Sequence, residues 1–289
     1  MRLALLTTIV LIAFALNSIL NRMAVGNGEI DAIAFAVIRA LAGAIILAVL
    51  VLARRCALPM FRSARIVGAG SLTLYLVGFS IAYVQIDAGL GALLLFGGVQ
   101  VTMFAGSVIG GERPPARRWT GAALALAGLA WLSWPTGSAA VPLVAVVAML
   151  LAAVGWGIYS LAGRGATDPM AETGANFAWS VPPLLLVSLL RPAQIDGITA
   201  TSTGIALAVV AGALTSGLGY ALWYTVLPKL GATRSALLQL TVPIIAMAMG
   251  AVLLGEGVTG RMIGAALLTL GGVAYGLGAF QRRTGSSGS

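Results

Sequence analysis

Tyr75, Phe79 and Tyr83 fall at i, i+4 and i+8 of one apolar run, and Phe96, Gln100 and Met103 at i, i+4 and i+7 of the next. On a helix each set makes one continuous stripe. Asn17, Trp156 and Gln239 lie deep in three other runs, and Arg39 is a cation well inside its own. Aromatic faces, amides, a thioether and one guanidinium are groups that hold a ligand. Together they suit a medium-sized, partly apolar solute that is neutral or zwitterionic. They do not suit catalysis. The chain has no His, and Cys56 is its one cysteine, so a Cys/His metal site and an internal disulfide are both excluded. The acidic residues Glu29, Asp31, Asp87, Glu112, Asp168, Glu172, Asp196 and Glu256 all fall in or beside loops. That leaves no paired carboxylates in a span for acid–base work. No G-x-x-x-x-G-K-[ST] occurs to cradle a nucleotide. No cofactor and no nucleic-acid partner are expected.

Each of these residues also has a plainer role open to it. Aromatic stripes pack helices or face lipid, and Tyr220, Trp223 and Tyr224 read best as an interfacial aromatic belt. Asn17 and Gln239 are as well suited to interhelical hydrogen bonds as to a solute. Arg39 could meet a ligand carboxylate, but the favoured reading is a structural tie that clamps helix ends or pairs with Asp87 or Glu29. Glu112 and Glu256 each precede a helix start, where a carboxylate complements the N-terminal dipole. Pro114 and Pro115 suit the same first turn, and Thr259 suits an N-cap.

Hydrophobic residues make up 60% of the 289 positions and charged residues 9%. Soluble domains carry about 25% charged residues, so this chain must use lipid as solvent. Dividing it at charges, Pro and Gly clusters predicts ten membrane-spanning helices near 3–24, 32–53, 66–86, 88–110, 119–134, 141–162, 173–190, 204–227, 233–254 and 262–281. The first is expected to be an uncleaved span. The fold class is all-α integral membrane. The net charge of +9 belongs to loops. With the N-terminus inside, Arg2, Arg54, Arg55, Arg62, Arg65, Arg113, Arg117, Arg118, Arg164, Lys229, Arg234, Arg282 and Arg283 fall inside, and only Arg191 and Arg261 outside. Both termini are therefore expected in the cytoplasm, in a bacterial inner membrane.

A phrase repeats. VIGGERPPARRWTGAALALAGL at 108–129 returns as VLLGEGVTGRMIGAALLTLGGV at 252–273, pairing Glu112 with Glu256 and Gly121 with Gly264. The repeat divides the chain into 1–135 and 141–283, with 284–289 (TGSSGS) set aside as an appended linker. Five spans per half is an odd number, so the second half enters the membrane inverted, a recurrent transporter design. The duplication aligns Gly97 and Gly98 of span four with Thr241 and Val242, beside Pro243, of span nine. Helix-weakening residues at matching depths predict hinges and a midplane site. Gly212, Ser216 and Gly219 in span eight form a small-residue pattern for close, sliding helix contact. Spans 1, 3, 4, 6, 8 and 9 are expected to line a cavity, and spans 5 and 10 to lie outside it.

Ten spans in two inverted halves, each ending in G-E-x(6 or 7)-G-A-A-L-x-x-x-G, resemble the EamA-like branch of the drug/metabolite transporter superfamily. Asn17 and Arg22 late in span one and A-F-A-V-I-R-A-L-A-G at 34–43 agree with it, and the resemblance covers essentially the whole chain. It implies a secondary transporter working by alternating access, and within the family it points towards exporters of aromatic and other neutral amino acids. The partners are a small-molecule substrate and the bilayer, with monomer or homo-oligomer left open. A membrane-embedded enzyme or a channel is the alternative.

Overall fold

The computed structural model describes residues 2–276 and 278, apart from 63, 112, 135–140, 164–165, 191–198 and 231–237. Glu112 and the tail 284–289 lie outside the described residues. The regular structure of the described residues is helical, apart from one isolated antiparallel bridge between Ile30 and Ala200. In chain order the helices are α1 (Arg2–Asn21), α2 (Ala32–Ala53), α3 (Ala64–Ala82), α4 (Ala88–Ile109), α5 (Ala116–Ser133), α6 (Leu143–Ala162), α7 (Pro169–Leu190), α8 (Ser202–Val210), α9 (Gly219–Leu230), α10 (Thr241–Met249) and α11 (Gly260–Gly276). Three π-helical segments join or extend them: Arg22–Gly26 after α1, Ala211–Leu218 between α8 and α9, and Gly250–Leu254 after α10.

Local chemistry sets the helix starts. Asp31 caps α2 by accepting from the Ile33 and Ala34 amides at 2.9 and 3.0 Å, and Asp168 does the same for α7 from Met170 and Ala171. Thr201 caps α8 through Gly204, and Thr259 caps α11 through Met262, as its position predicts. Pro115 stands at the N-cap of α5.

Seven of the ten expected spans are helices long and apolar enough to cross a membrane. Span nine is apolar but short as described, nine α-helical residues plus five π-helical ones. The fifth and tenth, α5 and α11, are not among them: α5 is long enough but carries Arg117 and Arg118 in its first turn, and α11 has 17 residues. The seventh is longer than expected, since α7 begins at Pro169 and runs through Pro182 and Pro183.

The polarity is inside out. Leu41, Ile45, Val49 and Leu52 of α2 are 40–63% exposed, while Arg39 on the same helix is fully buried. Asn17, Gln100 and Gln239 are buried too. An apolar exterior around a largely apolar core that also buries polar side chains is stable where the surroundings are hydrocarbon.

Helices α3 and α4 pack on α6, α2 packs on α7, and α10 packs on α4. Helices α5 and α11 pack chiefly on each other, at the side of the bundle. The repeated G-A-A-L block makes that contact. A Cβ added at Gly121 would stand 2.5 Å from the Gly272 carbonyl oxygen, and one at Gly128 would stand 2.3 Å from Thr269 Oγ1. At Gly121 backbone thus meets backbone, and at Gly128 it meets Thr269, with no room for a further side chain at either. Gly121→Val is expected to cost about 1–3 kcal/mol, read as a lower melting temperature of the purified protein in detergent. Gly271→Val, where a Cβ meets nothing within 4 Å, should leave the melting temperature unchanged. Equal behaviour of the two variants would remove this account of the repeat.

Candidate functional site

Midway along the bundle a small chamber is walled by Phe14, Asn17 and Ser18 of α1, Tyr75 and Phe79 of α3, Leu95 and Phe96 of α4, Trp156 of α6 and Tyr220 of α9. Its enclosed volume is about 10 Å³, the room of a single water molecule. The rings close it on one another. Phe14 meets Trp156, Tyr220 and Trp223 edge-on at 5.6–5.9 Å, Trp156 lies 4.6 Å from Tyr220, and Tyr75 lies 5.1 Å from both Phe79 and Trp156. A solute enters only if the helices carrying these rings separate.

Behind the rings lies a polar network. Tyr75 Oη accepts from Asn17 Nδ2 at 3.1 Å and from Arg39 Nη2 at 3.0 Å, and lies 3.0 Å from Tyr220 Oη. Arg39 Nη2 also donates to Tyr220 Oη at 2.7 Å, and Arg39 Nε donates to Ser216 Oγ at 2.8 Å. Asn17 Oδ1 accepts from the Thr215 and Ser216 hydroxyls at 3.1 and 3.4 Å. The Arg39 guanidinium lies over the Tyr75 and Phe79 rings, 5.2 and 5.1 Å from their centres.

Of the predicted binding residues, Asn17, Tyr75, Phe79, Phe96 and Trp156 line the chamber. Arg39 stands one layer behind, and its expected pairing with Asp87 or Glu29 is not formed: its bonds go to three hydroxyls. Asp87 and Glu29 lie beyond the helix ends, whereas Arg39 sits two helical turns in. Tyr83 is buried outside the chamber, edge-on to Phe79, with its hydroxyl donating to the Ala88 carbonyl. Gln100 and Gln239 are buried outside it, each with one amide atom unpartnered, and Met103 is partly buried.

The predicted hinge residues separate in the same way. Helix α4 runs unbroken through Gly97 and Gly98, where an added Cβ would meet Leu129, Thr269 and Ala153 side chains. Pro243 is in the first turn of α10, where a missing N–H breaks no helical bond. The departures from α-helix fall instead at the ends of spans one and nine and within span eight, whose π segment carries Gly212 and Ser216 and ends just before Gly219. Gly212 abuts the Arg39 backbone, since a Cβ there would stand 2.3 Å from that carbonyl oxygen. The aromatic-belt reading of Tyr220, Trp223 and Tyr224 is corrected: all three are buried, and Tyr220 lines the chamber. These residues follow a π segment, whose departure from 3.6 residues per turn is not signalled by residue spacing. Phe14 and Ser18 line the chamber beside Asn17 but are not singled out by the sequence; Phe14 stands three residues before Asn17, on the same face of α1.

At the bundle end where α1 finishes, Arg22 pairs with Glu256 at 3.3 Å and with Asp87 at 3.5 Å, and donates to the Tyr83 and Val84 carbonyls. Both Glu256 carboxylate oxygens accept from the Ala88 amide, at 2.9 and 2.8 Å. The carboxylate expected at its own helix start thus caps α4 from across the molecule, where Asp87 supplies no side-chain cap. At the opposite end Arg65 binds Glu172 and Asn176, and Arg62 binds Glu172 at 2.9 Å.

Residues 143–276 match the EamA-like transporter family. Over 276 residues the chain is 46% identical to an uncharacterised protein of Pseudomonas aeruginosa (strain PAO1), covering 94% of this chain and 93% of that one. It is 29% identical over 210 residues to a protein of Salmonella typhimurium described as a "probable amino-acid metabolite efflux pump", covering 68% of this chain and 70% of that one. A solved crystal structure superposes with a TM-score of 0.66 at 21% identity, covering 98% of this chain and 99% of its own, which shows a shared fold. Seven apolar spans, buried polar side chains and these matches lead to one conclusion: the chain is a multi-pass membrane protein whose residues 143–276 form an EamA-like transporter domain.

Proposed function

We propose that this protein is a secondary transporter that exports small organic solutes, aromatic and other neutral amino acids foremost, across the bacterial inner membrane. The observation that carries the reading is the chamber itself: an aromatic-walled space, central in the bundle, drawn from five helices and backed by a hydrogen-bonding network. The relative described as an efflux pump for amino-acid metabolites agrees with it. Transport proceeds by alternating access between two inverted halves, with both termini in the cytoplasm. The helix pairing supports that arrangement: α6 packs on α3 and α4, while α1 packs on the π segment and α9 of span eight and on α10. Those are the partners an inverted duplication would match. The closed chamber disfavours a channel, which needs a continuous path.

Counterflow tests the reading. Purified protein in liposomes loaded with an unlabelled amino acid should take up the labelled one transiently, and empty liposomes should not. A panel of amino acids, nucleobases and sugars that all fail to exchange would overturn it. Phe79→Ala and Phe96→Ala should change the order of preference among exchanged solutes while leaving protein abundance near the parent's. Parent-like preference in both variants would reduce these rings to packing.

A further inference from the structure

We propose that the chamber recognises the carboxylate end of its ligand, and that Arg39 supplies the charge for this through the hydroxyls of Tyr75 and Tyr220. The inference rests on the reading of the chamber as the transport site. It goes further in naming the chemical class: small carboxylates with an apolar side chain, whether or not they carry an amino group.

The network holds a positive charge and too many donors. Arg39 is fully buried, and among the described residues no Asp or Glu side chain bonds to it. A buried charge is costly unless an opposite charge or a full set of hydrogen bonds meets it. Here Nη1 has no hydrogen-bond partner, and the guanidinium meets the faces of the Tyr75 and Phe79 rings. The Tyr75, Tyr220 and Ser216 hydroxyls all accept from Arg39, and none of them carries a negative charge to balance it. The Trp156 indole N–H, on the chamber wall, is also without an acceptor. The acceptor that stands out on the opposite side, Asn17 Oδ1, is taken by Thr215 and Ser216. What the site lacks is an anion with two acceptor oxygens. A carboxylate meets that need, and charge-assisted bonds to it are stronger than those between neutral groups.

The geometry also says how the charge reaches the ligand. In the closed chamber one nitrogen of Arg39, Nη2, bonds both Tyr75 on α3 and Tyr220 on α9. Parting α3 from α9 to admit a solute breaks one of those bonds and frees a charged donor at the chamber wall. No carboxylate lines the chamber to pair with an ammonium. The amino group of an amino acid therefore adds little to recognition, and a ligand carrying only a positive charge is repelled.

The test uses three compounds with one ring and one chain length: phenylalanine (zwitterion), 3-phenylpropionate (anion) and phenylalaninamide (cation). Each is assayed by the thermal shift of the purified protein in detergent at about pH 6, where the α-amino group of the amide is protonated and both carboxylates are ionised. The first two should raise the melting temperature of the parent, and the amide should not. Arg39→Gln should abolish both responses, and Arg39→Lys should keep part of them. Should Arg39→Gln fail to fold, Tyr75→Phe and Tyr220→Phe serve in its place, each weakening carboxylate binding by about tenfold or more. A purely structural Arg39 would change the melting temperature of the free protein but not the discrimination between anion and cation. The inference is overturned if phenylalaninamide stabilises as well as phenylalanine, if neither carboxylate stabilises, or if the variants discriminate as the parent does. Carboxylate binding without counterflow would remove the transport reading and leave this inference standing.

Discussion

Glu256→Ala is expected to lower the melting temperature of the purified protein by about 5 °C and to open the chamber from the Arg22 end. Glu256 makes two attachments at once. It caps α4 through the Ala88 amide and neutralises Arg22 across the junction between the two halves of the chain. Its side chain is only 11% exposed, so water is a poor substitute for either contact. Truncation leaves the first turn of α4 uncapped and Arg22 with Asp87 as its remaining ion-pair partner. A cap and a bond to a charged group together are worth about 2–4 kcal/mol. Opening can be read separately. In a Cys56→Ser background, Ser18→Cys puts a thiol on the chamber wall. A charged, membrane-impermeant thiol reagent should label it slowly in the parent and faster once Glu256 is truncated. Unchanged melting and unchanged labelling would show that this ion cluster holds nothing shut.

The same residue carries a pH dependence. Burial pushes the Glu256 carboxyl above its ordinary range and the neighbouring Asp87 adds to the rise, against the pull of the Ala88 amide and Arg22. A carboxyl raised on folding stabilises most when protonated. Its contribution is complete below the unfolded-state value, near 4.5, and is lost as the pH rises through the folded-state value. Glu256→Gln mimics the protonated form and keeps an acceptor for Ala88. It should therefore retain most of the parent's stability and flatten the decline with rising pH that the parent shows just above pH 4.5. A variant as unstable as Glu256→Ala would mean that the charge, rather than the cap, holds α4.

An imposed pH gradient without a substrate gradient should drive no accumulation of a solute whose charge is constant over that range. A proton-driven carrier keeps a group in the membrane that takes a proton from one side and gives it to the other. Among the described residues Glu29, Asp31, Asp87, Asp168, Glu172 and Glu256 all lie at helix ends or in connections. Asp31 and Asp168 are committed to caps, and Glu172 to Arg62 and Arg65. The fully buried ionisable cation is Arg39, and a guanidinium does not release its proton at accessible pH. Net flow should follow the substrate's own gradient. Uphill uptake that collapses with a protonophore would defeat this, and Glu256, with its raised affinity for a proton, would be the first residue to replace.

How much of this was legible follows from which forces act locally. The apolar runs, the caps at Asp31 and Thr259 and the repeated G-A-A-L block are properties of neighbouring residues, so the sequence by itself determined the all-helical class, the membrane as solvent and the existence of most spans. Helical spacing brought Tyr75 and Phe79 to one face, and depth in a run singled out Asn17, Phe96 and Trp156. Partners were a different matter. That Glu256 caps α4 rather than its own helix, and that Arg39 meets hydroxyls rather than Asp87 or Glu29, depends on which helices come together. The π segment at Ala211–Leu218 departs from the α-helical residue count, so a reading at 3.6 residues per turn does not place Tyr220, which follows it and lines the chamber rather than an interfacial belt. No run of residues announces that departure, since the close approach of Gly212 to the Arg39 backbone exists only once α2 is packed against it.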